Sequence, residues 1–167
     1  MSVGILLITH SGVGCALLNV AHGTFGHLPL TVTHLSVSRD PEPELLIAKA
    51  SHLVRKIDSG NGVLVLTDMF GSTPSNIAQG LQNQGFAIRV ITGLNVPMLF
   101  RILNYPHLAL GPLAKKAVDG GKDGIFEPLH EQRVLKVANG NTRNINLKKK
   151  SDSLTLTRKT VMIDVIE

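Results

Sequence analysis

Four short apolar runs, separated by segments with helical spacing, constrain the fold of this chain more than any other feature. The runs at residues 3–9 (VGILLIT) and 63–67 (VLVLT) are unbroken, which is typical of strands buried on both faces of a parallel sheet. Residues 30–35 and 87–92 predict two further strands. Because strands and helices alternate with short connections, we expect an α/β fold: an open, mostly parallel four-stranded sheet with helices on both faces.

The later helices carry clear start and stop signals. Pro74 marks the first turn of the helix after the third strand. A short helix is predicted at residues 97–103, and a further one at residues 113–118 that Gly120-Gly121 closes.

Charge is unevenly distributed along the 167 residues. Residues 1–127 carry nine Lys/Arg and eight Asp/Glu, whereas residues 128–167 carry eight Lys/Arg and four Asp/Glu. We therefore predict a nearly neutral domain at residues 1–129 and a basic C-terminal extension at residues 130–167, strand-like or partly disordered. A nucleic-acid adaptor is an alternative, but nucleic acid is not a predicted partner, because one Tyr and no Trp offer little base stacking.

The predicted location is the cytoplasm. No apolar run approaches the roughly 18 residues that a membrane-spanning helix needs. The first apolar run also lacks the basic segment and cleavage site of a signal peptide. The single cysteine, Cys15, excludes an internal disulfide. It falls in the helix predicted to follow the first strand, where it is expected to be buried packing.

Ligand chemistry in such sheets gathers at the carboxyl ends of the strands, and His10 directly follows the first strand. Ser11 and Gly12 come next, where glycine permits close backbone approach and a helix N-terminus favours an anion such as phosphate. A neutral imidazole nitrogen is a competent nucleophile toward a phosphoryl group. We therefore expect His10 to accept a phosphoryl group.

Asp68 follows the third strand and supplies the second element of the predicted site. A nucleophilic histidine needs an acceptor for its other nitrogen, and a carboxylate on a neighbouring strand provides one. Gly71, Ser72 and Thr73 form a second helix entrance whose N–H groups and hydroxyls are candidates to bind phosphoryl oxygens.

Structural interpretations of the same residues stay open from the sequence alone. His10 can be a structural strand-end residue, and Asp68 a helix cap or turn residue. Ser72 or Thr73 can be a plain N-cap. Asn95, with Met98 after it, is interpreted as a helix start beside a core methionine.

No metal and no cofactor are predicted. None of the other six histidines has metal-ligand spacing, and the glycines form neither a dinucleotide fingerprint nor a phosphate-binding loop of the Walker type. His34, predicted at a strand end near the site, is assigned a structural or partner-contact role.

Three ordered motifs resemble the mannose-family IIA proteins of the bacterial phosphotransferase system. They are residues 4–12 (GILLITHSG), 62–76 (GVLVLTDMFGSTPSN) and 92–99 (TGLNVPML), and residues 120–125 (GGKDGI) look like the end of that domain. The resemblance covers about 125 residues.

The resemblance implies that His10 is the phosphorylated histidine, Asp68 its orienting carboxylate and Thr73 a hydroxyl that contacts the phosphoryl group. It also implies an HPr-like phosphocarrier as donor, a IIB domain as acceptor, and membrane contact only through a permease complex. A homodimer follows as well, with a C-terminal edge strand, here residues 124–129, exchanged between subunits.

Two features depart from the family pattern. Gly71-Ser72 stands where the family often has two glycines, and the added side chain narrows the predicted pocket. Residues 130–167 match no IIB domain. Two alternatives stay open beside sugar uptake: a phosphorylation-state regulator without a transport acceptor, and a phosphoryl donor subunit for dihydroxyacetone kinase.

Overall fold

A four-stranded parallel sheet forms the centre of the fold in this computed structural model, which describes residues 2–38 and 42–128. The strands pair in the order β2-β1-β3-β4. Their bounds are β1 (Gly4–His10), β2 (Val32–Val37), β3 (Val63–Thr67) and β4 (Ile88–Thr92). The predicted parallel sheet is confirmed.

Five helices connect and cover the strands in the described part of the chain. They are α1 (Val13–Phe25), α2 (Pro43–Ile57), α3 (Thr73–Gln82), α4 (Val96–Leu103) and α5 (Leu110–Asp123). Apolar residues of α1, α4 and α5 form one core cluster with one face of the sheet, and those of α2 and α3 form a second cluster with the other face. The prediction of helices on both faces is therefore correct.

The two central strands are apolar throughout because both of their faces are buried. Ile5 and Leu7 of β1 belong to the first core cluster, while Leu6 and Ile8 belong to the second. All four side chains are fully buried. At about 1.5–3 kcal/mol for each such side chain, β1 is a major source of stability. The strand ends that carry the site are accordingly held by the best-packed part of the sheet.

The structure corrects two element bounds. The second strand lies two residues later than predicted, at Val32–Val37. The prediction that Gly120 and Gly121 end the last helix is wrong, because α5 continues to Asp123. A Cβ atom on Gly120 would lie 2.5 Å from Cβ of Arg101 in α4, so this glycine allows close helix packing and does not end the helix.

The C-terminal segment leaves several predictions open. The chain divides into a unit over residues 1–125 and a second over residues 126–167, of which residues 126–128 are described. Residues 125–128 are not in a strand, and residue 129 lies outside the described residues. The domain boundary at residue 129, the character of residues 130–167 and the exchanged strand at residues 124–129 therefore stay predictions.

None of the described helices has the length and apolar character that crossing a membrane requires.

Candidate functional site

His10 and Asp68 meet at the carboxyl edge of the sheet because β1 and β3 are direct neighbours. One carboxylate oxygen of Asp68, Oδ2, accepts hydrogen bonds from the backbone N–H of His10 at 2.9 Å and from its ring nitrogen Nδ1 at 2.8 Å. The other oxygen, Oδ1, accepts from the N–H of Met69 at 3.0 Å. Both oxygens of the carboxylate are thus fixed, and Asp68 does not cap a helix.

The hydrogen bond to Asp68 determines which ring nitrogen of His10 can react. An ionised carboxylate only accepts hydrogen bonds, so Nδ1 carries the hydrogen, and in the neutral ring Nε2 then keeps its lone pair. The side chain of His10 is 47% exposed, whereas that of Asp68 is 13% exposed. The imidazole of His10 is therefore much more accessible to solvent than the carboxylate that binds its Nδ1.

Ser11 and Gly12 form the turn between β1 and α1, as predicted. The N–H of Ser11 donates to the carbonyl oxygen of Val37 at 3.1 Å, which extends the pairing with β2 by one residue. Gly12 is the N-cap of α1 with φ +88°, a conformation that glycine adopts without strain. The helix thus begins three residues after His10, and its first turn carries N–H groups that have no partner within the helix.

Gly71, Ser72 and Thr73 form the corresponding entrance to α3. Gly71 has φ +76° and is exposed. Ser72 is the N-cap residue but makes no side-chain capping bond, because its hydroxyl donates to the carbonyl oxygen of Met69 at 2.7 Å. Thr73 is the first helical residue and is half-buried, and its hydroxyl makes no hydrogen bond within the described residues. Thr73 is therefore the hydroxyl of this loop that is available to a ligand.

A residue that the sequence analysis did not identify, Thr9, also supports the site. Its hydroxyl accepts from the N–H of Gly14 at 2.9 Å and donates to the carbonyl oxygen of His10 at 3.0 Å. The only sequence signal is a hydroxyl residue at the end of an otherwise apolar run, and that signal does not specify a partner.

Two predictions about neighbouring residues are wrong. His34 lies inside β2, paired with Leu7, and not at the strand end. Cys15 is exposed and not buried packing. In the first two turns of α1 the buried residue is Gly14, so the adjacent Cys15 is turned outward by the helical repeat.

The residues that follow β4 form the start of a helix, as expected. The side chain of Asn95 accepts from the N–H of Met98 at 2.9 Å and caps α4. Its Nδ2 donates to the carbonyl oxygen of Gly121 at 3.3 Å. Met98 is 4% exposed and belongs to the core. Asn95 and Met98 are therefore structural residues.

Large apolar side chains are exposed next to the carboxylate. Met69 is 57% exposed and Phe70 is 74% exposed. Both follow Asp68 directly in the loop before α3.

Comparison with known proteins finds one family over most of the described chain. The family model described as EIIA-man, the PTS system fructose IIA component, matches residues 4–118. The PTS system mannose-specific EIIAB component of Escherichia coli (strain K12) is 29% identical over 127 residues, which are 75% of this chain and 39% of that protein. The chain thus spans well under half the length of this relative.

Solved structures agree on the fold. Phosphotransferase system component EIIA from Streptococcus agalactiae superposes with a TM-score of 0.65 at 23% identity, covering 76% of this chain and 97% of that one. The mannose/sorbose specific IIA subunit from Enterococcus faecalis superposes with a TM-score of 0.67 at 21% identity, covering 90% and 100%.

Proposed function

The chain belongs to the EIIA-man family of phosphotransferase system IIA components, and on this premise we propose that it is a phosphocarrier whose acceptor atom is Nε2 of His10. Members of the family are phosphotransferases with a phosphocarrier role in sugar uptake. The observation that carries the proposal for this chain is the hydrogen bond between Nδ1 of His10 and Asp68.

The proposed step is an in-line transfer between two imidazole rings. The lone pair of Nε2 attacks the phosphorus atom of a donor phosphohistidine. A bond forms between Nε2 and phosphorus while the phosphorus–nitrogen bond of the donor breaks, and its electron pair returns to the donor ring. His10 does not have to lose a proton first, because its ring hydrogen is on Nδ1.

Asp68 has two roles in this proposal. It fixes the tautomer and the orientation of the ring before transfer, through the two bonds at 2.8 and 2.9 Å to one oxygen. After transfer the ring of His10 is cationic, and the adjacent carboxylate stabilises that charge. Asp68, which is 13% exposed, therefore acts on the ring of His10, which is 47% exposed, without blocking its Nε2.

The phosphoryl oxygens are assigned to the two helix entrances. The N–H groups at Gly71, Ser72 and Thr73 are suited to an anion. So are the first-turn N–H groups after Ser11 and Gly12, except that of Gly14, which already donates to Thr9. We assign the side-chain contact to the Thr73 hydroxyl, because the Ser72 hydroxyl already donates to Met69.

The proposed donor is an HPr-like phosphocarrier, and the proposed acceptor is a IIB domain. The family implies both partners in general. The proposed location is the cytoplasm, with membrane contact only through a permease complex. A homodimer with residues 124–129 exchanged is part of the same proposal.

Phosphorylation in a reconstituted relay tests the proposal. The parent, His10→Ala and His52→Ala are incubated with phosphoenolpyruvate, enzyme I and HPr, and phosphorylation is measured by intact mass. His52 is an exposed histidine on α2, so its variant controls for loss of any surface histidine. We expect one acid-labile phosphoryl group on the parent and on His52→Ala, and none on His10→Ala. A folded parent that takes no label contradicts the proposal.

The acceptor is tested in a second stage. Labelled protein is mixed with a IIB domain, and the label is followed on both chains. Transfer to the IIB domain supports the transport role, whereas label that stays on His10 favours a regulator without a transport acceptor.

A further inference from the structure

Two buried threonines stand directly before the two residues of the site. Thr9 precedes His10 at the end of β1, and Thr67 precedes Asp68 at the end of β3. Both side chains are fully buried. Their hydroxyls differ, since that of Thr9 is bonded twice while that of Thr67 has no hydrogen-bond partner within the described residues.

The hydroxyl of Thr9 caps the first turn of α1 from the neighbouring strand. Gly12 holds the N-cap position without a side chain that can accept a bond. The N–H of Gly14, one of the unpaired donors of the first turn, is instead satisfied by Thr9 Oγ1 at 2.9 Å. The start of α1 is thereby joined to the last residues of β1.

The same hydroxyl also binds the backbone of His10. It donates to the carbonyl oxygen of His10 at 3.0 Å, while the N–H of His10 donates to Asp68 at 2.9 Å. The backbone of His10 is therefore fixed from both sides, and its ring by a third bond.

Contact between Thr9 and α1 leaves no room for a side chain at residue 14. A Cβ atom on Gly14 would lie 2.9 Å from Oγ1 of Thr9 and 3.4 Å from Cβ of His34. Glycine at this position therefore permits the close approach that the hydrogen bond needs.

We propose that Thr9 is a positioning residue for phosphoryl transfer. Its hydroxyl sets the distance between Nε2 of His10 and the first-turn N–H groups of α1, so that nucleophile and anion-binding donors meet one phosphoryl group. The expected effect of Thr9 on the transfer rate rests on the proposed function. Misplacement of a reacting group by about 1 Å can lower a rate by about 100-fold.

A matched pair of substitutions isolates the hydroxyl. Thr9→Val and Thr67→Val make the same chemical change at equal burial on neighbouring strands, but only the first removes hydrogen bonds. With phospho-HPr as donor, we expect Thr9→Val to lower the maximal transfer rate by about 10- to 100-fold, with the half-saturating donor concentration unchanged. Thr67→Val is expected to transfer at the parent rate.

A second pair keeps the test decisive where Thr9→Val does not fold. Thr9→Ser and Thr9→Ala both lose the methyl group, and only the alanine also loses the hydroxyl. We expect the serine variant to transfer within a few-fold of the parent and the alanine variant to show the full loss. Equal rates for these two variants, with both folded, overturn the proposal.

Nitrogen NMR of the His10 ring tests the positioning without phosphoryl transfer. Its signals report which ring nitrogen carries the hydrogen. We expect Thr9→Val and Thr9→Ala to weaken the preference for hydrogen on Nδ1, and Thr67→Val to leave it unchanged. Unchanged signals in the Thr9 variants together with unchanged transfer rates overturn the inference. A parent that shows the expected signals but takes no label instead refutes the proposed function alone.

Discussion

A single oxygen of Asp68 binds His10 twice, at the backbone N–H and at ring nitrogen Nδ1, over 2.9 and 2.8 Å. The carboxylate therefore fixes where the residue lies as well as how its ring is turned. This geometry leaves Nε2 as the ring nitrogen available for the proposed transfer.

Replacing the carboxylate tests that relationship. Asp68→Asn keeps the shape, but its amide can donate as well as accept, so it no longer specifies hydrogen on Nδ1 and it cannot offset ring charge. We expect the rate of phosphorylation to fall by about 10²- to 10⁴-fold, measured by rapid quench with phospho-HPr. Asp119→Asn, which removes an exposed ion-pair carboxylate of α5, is the control and should keep the parent rate. An Asp68→Asn variant as fast as this control would exclude the assigned role.

The hydroxyls of Ser72 and Thr73, at the entrance of α3, should differ in what they affect: the first stability, the second the transfer rate. Ser72→Ala removes the bond to the carbonyl oxygen of Met69 and should lower the free energy of unfolding by about 1 kcal/mol. Thr73→Ala should leave stability nearly unchanged and slow transfer by about tenfold, as loss of one hydrogen bond to an anion predicts. Urea unfolding and rapid-quench rates on both variants measure these effects. The reverse pattern would assign the phosphoryl contact to Ser72.

Glycines at residues 14 and 23 offer a matched test of packing within one helix. Gly14→Ala places a Cβ atom 2.9 Å from Thr9 Oγ1 and should destabilise the protein by about 1–3 kcal/mol. Gly23→Ala meets nothing within 4 Å and should stabilise α1 by about 0.5–1 kcal/mol. Urea unfolding of both variants measures these changes in the free energy of unfolding. A shift of the same sign in both variants would contradict the described contact.

Exposed Phe70 is expected to contact the phosphoryl donor. A partner that reaches Nε2 of His10 must cover the neighbouring loop, and Phe70 is 74% exposed there, two residues after Asp68. Phe70→Ala should raise the half-saturating concentration of phospho-HPr by about tenfold, equivalent to about 1.4 kcal/mol, with little change in maximal rate. Leu45→Ala, which truncates a 47% exposed side chain on α2, is the control. Equal saturation curves for both variants would exclude a contribution of Phe70 to donor binding.

The sheet and the strand-end site could be predicted because they depend on local patterns. Unbroken apolar runs mark β1 and β3, and strand pairing then brings His10 and Asp68 together. The parallel topology thus converted two distant sequence positions into one site.

The misses depend on tertiary contacts that a linear pattern does not contain. Gly120 has the sequence signature of a helix end. The structure instead explains the glycine by the close approach of Arg101 on another helix, which leaves no room for a side chain. The role of Thr9 requires knowing that α1 turns back over the end of β1. The exposure of Cys15 is not predictable from the sequence pattern, because the buried face at the start of α1 is at Gly14, a residue without a side chain.

The exposure of Cys15 has a practical consequence. It is the single cysteine of the chain and lies five residues after His10, in the first turn of α1. A thiol-reactive fluorophore would therefore label the native protein at one defined position, on the helix that follows His10. Its emission would report each docking event in real time, without any engineered attachment point.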